Sequence, residues 1–204
     1  MATLVAHHYL TPPPLALLSI TGIATFQHPF FSSSVCLAPK PSTEDDMAQH
    51  MAGPAVVGVS PPWMPAIFTL DKLSPDGAKN LDYSYPAPGE SHSNRGDLYE
   101  YYLHRNEFPA LVGAIDSGFD PKHSAADWPP TVIIHGDSDP AVAFDVSLHM
   151  QKSLGEDKVK LFVAKGQAHL FEDANWWEDE TEGMGTVRDA VACLDSIMKG
   201  STSE

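Results

Sequence analysis

Apolar positions follow two different periods along this chain, and together they predict alternating strands and helices. The nearly continuous apolar run LALLSITGI, Leu15 to Ile23, is typical of a strand buried on both faces of a parallel sheet, with a buried helix as the alternative. The runs TVIIH at 131–135 and KVKLFVAK at 158–165 are predicted to form two more strands. Strands that alternate with helices in this way indicate an α/β fold with a parallel sheet.

Helical spacing separates and follows the last two predicted strands. Residues 144–154 are predicted to form a helix with Phe144 and Leu148 facing inward. A final helix carries apolar residues from Val187 to Met198, with a basic residue in its last turn and Gly200 just beyond. This order of elements implies right-handed crossovers between parallel strands.

The first ten residues, MATLVAHHYL, also have helical spacing, and three prolines then end the predicted helix. No Ser, Thr, Asp or Asn precedes this helix to satisfy its first free amides. We therefore expect the sequence to begin inside a longer structure.

Residues 24–127 have a different character, since 12 of the 18 prolines lie there. Short helices are predicted at Ser42 to Met51, Asp97 to His104 and Glu107 to Ile115, and an exposed loop at Ser74 to Gly96. The chain is thus expected to be one partial domain. It comprises a helix and strand (1–23), a lid or insertion (24–127), and the remaining strands and helices (128–204).

The composition of the chain argues against several classes of function. Twelve Lys and Arg against 27 Asp and Glu give a net charge of −15, which disfavours nucleic acid and anionic lipid as partners. The apolar stretch Leu15 to Phe26 is too short to span a bilayer and has no basic residue before it, so it is expected to be neither anchor nor signal peptide. A cytoplasmic location is the default. Cys36 and Cys193 are expected to be buried reduced thiols rather than a disulfide or metal pair.

Ionisable side chains follow the last two predicted strands. Asp139 lies in HGDSDPAV, three residues after a glycine, and His169 lies in AKGQAHLFE, also three residues after a glycine. Neighbouring strands are spaced by ~4.8 Å, so these two loops are predicted to bring the side chains together. A carboxylate on one ring nitrogen of an imidazole fixes the tautomer and makes the other nitrogen a general base near neutral pH.

These two motifs resemble those of the α/β-hydrolase superfamily, in particular its esterase, lipase and prolyl-peptidase branches, which carry HGxxDxxV and GxxHxF at the ends of their last strands. The resemblance implies an α/β-hydrolase sheet reduced to its C-terminal strands and hydrolysis of carboxylic esters or related acyl substrates without cofactor or metal. It also implies that Asp139 is the orienting acid and His169 the general base, whereas Asp137 falls at a variable position and is interpreted as a turn residue. The matching residues are His135, Gly136, Asp139, Val142, Gly166, His169 and Phe171.

The nucleophile of that family is absent from these 204 residues, which contain neither GxSxG nor an HGGG-type loop. The family's nucleophile precedes a helix that often begins with an apolar residue and Ala, as Met1 and Ala2 do, so the serine is expected just before Met1. Ser19 lies within a predicted strand and Ser60 has prolines after it, so neither fits a strand-to-helix elbow. The chain alone is expected to be nearly silent as an esterase.

Two other functions remain open. The chain could be a truncated isoform or gene-model fragment that acts as a binding or regulatory module, with the exposed edge of the first strand inviting self-association. A small-molecule binding protein that uses a pocket under the lid is a third reading.

Simpler readings of the single residues are also open. Asp139 alone could be a turn residue, whereas a calcium loop is excluded because Val142 stands where glycine is required. His135 is interpreted as a structural histidine, and the histidines of residues 24–127 as exposed. The pair Trp176 and Trp177 could line a substrate site near His169 or pack against the last helix.

Overall fold

The computed structural model of the protein describes Thr3, Ala6 and residues 14–37, 39–52, 97–119, 128–173 and 175–201. Three strands and several helices are found within these ranges. In chain order they are β1 (Leu17–Ile20), a 3-10 helix (Pro29–Ser32), α1 (Glu44–Met51), α2 (Asp97–His104), α3 (Phe108–Val112), β2 (Thr131–Gly136), α4 (Phe144–Leu154), β3 (Val159–Ala164) and α5 (Met184–Ser201).

The strands form one parallel sheet in the order β1, β2, β3. All six residues of the central strand β2 are buried, as its β-branched composition predicts for a strand covered on both faces. Ile134 pairs with Ile20 on one side and with Phe162 on the other. Because the strands are parallel and in register, their carboxyl ends lie at one edge of the sheet. The predicted mixed α/β class with a parallel sheet is therefore confirmed.

Helices cover both faces of this sheet. On one face, Ile133 and Val159 belong to the same buried cluster as Val146 and Met150 of α4. On the other face, a second cluster joins the sheet to α5, with Val132, Ile134, Met184, Val187 and Ala190 as its buried members. A two-sided arrangement of this kind is what strands that alternate with helices require.

The first strand is shorter than the predicted run from Leu15 to Ile23. Leu15 is 54% exposed and precedes β1, and the strand ends because Thr21 turns into the left-handed region at φ 45°. This conformation is costly for a β-branched residue. The apolar run therefore predicts the existence of the strand but not its limits.

Several local predictions need correction. The buried residues of α4 are Val146, Ser147, Met150 and Leu154, whereas Phe144 and Leu148 are only half-buried. The last helix continues through Gly200 to Ser201.

The cysteines and several histidines also differ from expectation. Cys36 is exposed and Cys193 half-buried, and no disulfide joins them. His28 is buried. It caps the 3-10 helix by accepting the Phe30 N–H, and its Nε2 lies 3.3 Å from Asp145. His50 and His104 are half-buried. The other histidines of that segment, and the paired histidines near the start, lie outside the described residues.

The predicted helices between β1 and β2 are present. Thr43, not Ser42, caps α1 through a capping box in which Asp46 bonds back to the Thr43 amide. The helix predicted from Glu107 to Ile115 is shorter, running from Phe108 to Val112. The predicted loop at 74–96 and most of the helix at 1–10 lie outside the described residues; Thr3 and Ala6 are helical and buried.

Candidate active site

The loop that follows β2 holds Asp139 by its own backbone. The Oδ1 atom of Asp139 accepts hydrogen bonds from the amides of Ala141 at 2.8 Å and Val142 at 2.9 Å. This local turn explains why the strand ends in a sequence of Asp, Ser and Pro. The carboxylate is fully buried, with 0% of its side chain exposed. Oδ1 of Asp139 therefore has the role of a turn residue, because it binds amides of its own loop.

The loop that follows β3 lies directly against the first loop. The Ser138 amide donates to the Gln167 carbonyl at 3.1 Å, and the Gly166 amide donates to Asp137 Oδ1 at 2.6 Å. A Cβ atom at Gly136 would collide with the Gln167 carbonyl, so only glycine permits this approach. Asp137 thus links the two loops, and its interpretation as a turn residue stays a prediction.

The second oxygen of Asp139 meets His169. The distance from His169 Nδ1 to Asp139 Oδ2 is 2.7 Å, and the imidazole is 31% exposed. A carboxylate can only accept, so Nδ1 carries the proton and Nε2 keeps its lone pair. The structure thus joins the two residues predicted from sequence and leaves the basic nitrogen of a partly exposed imidazole available.

The environment keeps Asp139 ionised. Burial acts to raise the pKa of this carboxyl, but hydrogen bonds from the two histidines and a loop amide outweigh burial and hold the pKa far below its ordinary value. Among the described residues, the groups recognised around the carboxylate are all donors, so a protonated form would find no acceptor there for its own hydrogen. The anion is therefore the form that fits the site.

A second histidine contacts the same carboxylate. His135, the fifth residue of β2, is fully buried, and its Nε2 lies 3.2 Å from Asp139 Oδ2 and 3.0 Å from the Val142 carbonyl. Its Nδ1 lies 2.6 Å from the Ser147 hydroxyl on α4. The sequence suggested a structural histidine here, and the structure adds its direct contact with the acid.

Two further polar residues near the site were missed from the sequence. Tyr99 of α2 donates its hydroxyl to the Ala141 carbonyl at 2.7 Å, and burial, followed by the negative charge of Asp139, raises the pKa of this phenol. Nothing in the sequence links Tyr99 to a loop 42 positions away.

Glu172 lies three residues beyond His169, and burial raises the pKa of its carboxyl, which the charge of His169 partly opposes. Its Oε2 is buried without a hydrogen-bond partner among the described residues. The sequence signal that points to Glu172 is its position as the acidic residue of the segment HLFE, close to His169.

Backbone strain is found at the same edge of the sheet. Thr21, which follows β1, has φ 45°, and Leu170, which follows His169, has φ 53°. The Thr21 hydroxyl is buried without a partner in the described part of the chain. Left-handed conformations at residues other than glycine concentrate at functional sites, where the surrounding structure holds them.

The tryptophan pair is tied to the last helix through its backbone. Arg188 of α5 donates to the carbonyls of Trp177 at 2.9 Å and Asp179 at 3.0 Å. Trp176 is half-buried, whereas 49% of Trp177 is exposed. These bonds involve backbone carbonyls and not the indole rings, so packing against the last helix and a role as substrate wall both stay predictions.

The described residues give no support to a metal centre, because they contain no group of three or more His, Cys, Asp or Glu side chains arranged to hold an ion. Ser19 lies inside β1 and not at a strand-to-helix turn, and Ser60 is outside the described residues. Over the same described ranges, no helix has the length and apolar character needed to cross a bilayer.

Comparison with known proteins adds no relative: no family model, no curated protein and no solved structure matches this chain significantly.

Proposed function

We propose that this chain carries the acid and base of a serine hydrolase that acts on carboxylic esters or related acyl substrates. The observation that carries the proposal is the 2.7 Å contact between a buried carboxylate, Asp139, and a partly exposed imidazole, His169, at the carboxyl edge of a parallel sheet. In open α/β sheets this edge is where ligands and catalytic groups are found. The order of acid and then base on successive strands agrees with that of the α/β-hydrolase superfamily.

The chemistry would be acyl transfer through an acyl-enzyme. His169 Nε2 takes the proton of a serine hydroxyl as that oxygen attacks the ester carbonyl, and then gives the proton to the leaving alcohol. Asp139 accepts from Nδ1 throughout and stabilises the imidazolium that forms in between. A water molecule repeats the sequence to release the acid. No cofactor is required for these steps.

The serine is proposed to come from polypeptide outside these 204 residues, since they contain no GxSxG and Ser19 is fixed within β1. An elbow strand would lie beside β1, which pairs only with β2 among the described residues. The segment from 24 to 127 is proposed to act as a lid, and Tyr99 supports this role because it ties α2 to the acid loop.

The proposal is tested by sequencing the 5′ end of the transcript and expressing the chain with and without any in-frame sequence found there. We expect a GxSxG motif, labelling of the longer protein by a fluorophosphonate probe, and loss of labelling in His169→Ala. The matched control His50→Ala changes a half-buried histidine on α1 and is expected to label normally. A transcript without the motif would contradict the proposal, and labelling of the 204 residues alone would contradict the external origin of the serine.

A catalytically silent binding module is the second candidate, and the edge of β1 favours it. Leu15 and Leu18 are 54% and 36% exposed, and an unpaired strand edge with apolar neighbours can pair with another chain. On this reading the chain would associate with a second copy of itself through β1.

A further inference from the structure

A histidine in a fully buried strand position needs a physical reason. The other side chains of β2 are buried and mostly apolar, and an apolar residue of similar size would fill the place of His135 without desolvating a polar ring. Both ring nitrogens of His135 have partners: Ser147 on one side, and Val142 and Asp139 on the other. The partners show that the ring connects α4 to the acid loop.

The partners also fix the tautomer of His135. The Val142 carbonyl and the Asp139 carboxylate are both acceptors, so Nε2 must carry a hydrogen. The Val142 carbonyl accepts this hydrogen at 3.0 Å, and Asp139 Oδ2 lies 3.2 Å from the same nitrogen as an electrostatic neighbour. In the neutral ring, Nδ1 then accepts the hydroxyl hydrogen of Ser147 at 2.6 Å. The ring is held in a single orientation by a strand, a helix and a loop.

The Asp139 carboxylate receives a distinct set of donors on each oxygen. Two loop amides bind Oδ1, whereas His169 at 2.7 Å and His135 at 3.2 Å both approach Oδ2. The loop amides fix the carboxylate at one oxygen only. The approach of His135 to the other oxygen opposes rotation of the carboxylate away from His169.

We propose that His135 is a positioning residue for the Asp139–His169 pair: its Nε2–H holds Asp139 Oδ2 and the Val142 carbonyl in place, and Ser147 fixes the tautomer that makes this possible. The inference rests on the proposed role of the pair but acts through Asp139 and not on substrate. The other titratable groups near the carboxylate are Tyr99 of α2, which interacts with its charge, and Glu172 beyond β3. The Tyr99 hydroxyl donates to the Ala141 carbonyl and not to Oδ2, and Glu172 Oε2 has no hydrogen-bond partner among the described residues.

The test uses the 204-residue chain, labelled with 15N in its histidines. NMR measures the tautomer of His169 and the rate at which its Nδ1 proton exchanges with water, with the resonance assigned through His169→Gln. We expect the Nδ1–H form alone in the wild type. His135→Phe keeps a ring but removes the donor, and it is expected to mix the tautomers and raise the exchange rate about tenfold or more, as loss of a hydrogen bond to a charged group would.

His135→Gln is the matched control, because its amide can donate to Asp139 and Val142 while its carbonyl accepts from Ser147. We expect its exchange rate to stay within about threefold of the wild type, given that most of the bonds are restored. A purely structural histidine predicts a different result: lower thermal stability in His135→Phe with an unchanged His169 tautomer and exchange rate. That result would overturn the proposal.

Two arrangements keep the test decisive. If His135→Phe does not fold, the same measurements are made on His135→Met, whose flexible apolar side chain fills the space. In the wild type itself, 15N shifts that place the hydrogen of His135 on Nδ1 alone would overturn the proposal without any variant. None of these measurements needs a serine, so a missing nucleophile would refute the hydrolase proposal and leave this one standing.

Discussion

Two regions of the molecule differ in how far apart in sequence their hydrogen-bonded polar groups lie. At the acid–base edge, defined as residues 136–143 and 164–173, most hydrogen bonds run within one loop or between two loops that follow neighbouring strands. In the intervening segment, defined as the described residues from 24 to 119, Asp116 binds Thr25 and the Phe26 amide across 90 or more positions. The first region is organised by loops that follow neighbouring strands, whereas the buried aspartate of the second region is held by contacts between positions far apart in sequence.

This difference predicts which substitutions affect function and which affect stability. Asp116 and Asp139 are both buried aspartates with several donors around them. Only Asp139 contacts a partly exposed histidine, so its removal should affect chemistry, while removal of Asp116 should affect folding.

The largest effect is expected at the acid–base edge, in polypeptide that includes the proposed serine. His169→Ala should lower kcat by about a millionfold, the loss seen in subtilisin without its histidine. Asp139→Asn should cost about 10⁴-fold, because the amide favours the wrong tautomer of His169. Rates of p-nitrophenyl ester hydrolysis measure both. Losses below tenfold would show that the pair has no role in the reaction.

In the intervening segment, Asp116→Ala should lower the free energy of unfolding by about 3 kcal/mol or more, because it leaves several donors buried without an acceptor. The donors are the Thr25 hydroxyl at 2.8 Å and the amides of Phe26 at 2.7 Å and Gly118 at 3.0 Å. Urea unfolding measures the change. Asp116→Asn keeps one oxygen and should cost less, and equal losses in the two variants would argue against this explanation.

Gly136→Ala should separate the two loops of the acid–base edge and lower the free energy of unfolding by about 1–3 kcal/mol, since the new Cβ meets the Gln167 carbonyl. Gly185→Ala is the control. It changes an exposed glycine of α5 with no atom near the new methyl group, and should stabilise the protein by about 0.5–1 kcal/mol. Similar losses at both positions would show that the close approach of the loops is not the cause.

Acidification should weaken the acid–base edge, because its buried carboxylate has a lowered pKa. The pKa of Asp139 is lower in the folded protein than its unfolded value of about 3.9, so its contribution to stability is present above that value and is lost as pH falls towards the folded pKa. The unfolding free energy, followed by urea unfolding at successive pH values, should therefore fall more steeply below about pH 4 in the wild type than in Asp139→Asn. If the unfolding free energies of the two proteins fall equally with pH, a group other than Asp139 is responsible for the acid sensitivity.

The smallest effect is expected at the edge of β1. If the chain associates through this strand, Leu18→Lys should weaken the association, since a charged side chain on an edge strand opposes pairing. Light scattering over a range of protein concentrations measures it. The exposed Leu111 of α3 provides a control position, and Leu111→Lys should leave the association unchanged.

Sequence reasoning worked well where the signals were local. The existence of β2, the limits of α4 and the meeting of Asp139 with His169 follow from β-branched runs, helical spacing and turn residues close in sequence. It did worse where burial depended on distant contacts. His28 is buried and not exposed, and the buried residues of α4 include neither Phe144 nor Leu148.

The sequence alone determined an alternation of strands and helices and placed an acid and a base after successive strands, because hydrophobic period and turn chemistry are properties of short segments. Only the tertiary structure decided that His135 and Tyr99 also surround the acid loop, that the acid loses its exposure completely, and that Thr21 and Leu170 adopt left-handed backbones beside it. The reason is physical: burial and hydrogen bonding between segments depend on which surfaces meet when the sheet and its helices pack together.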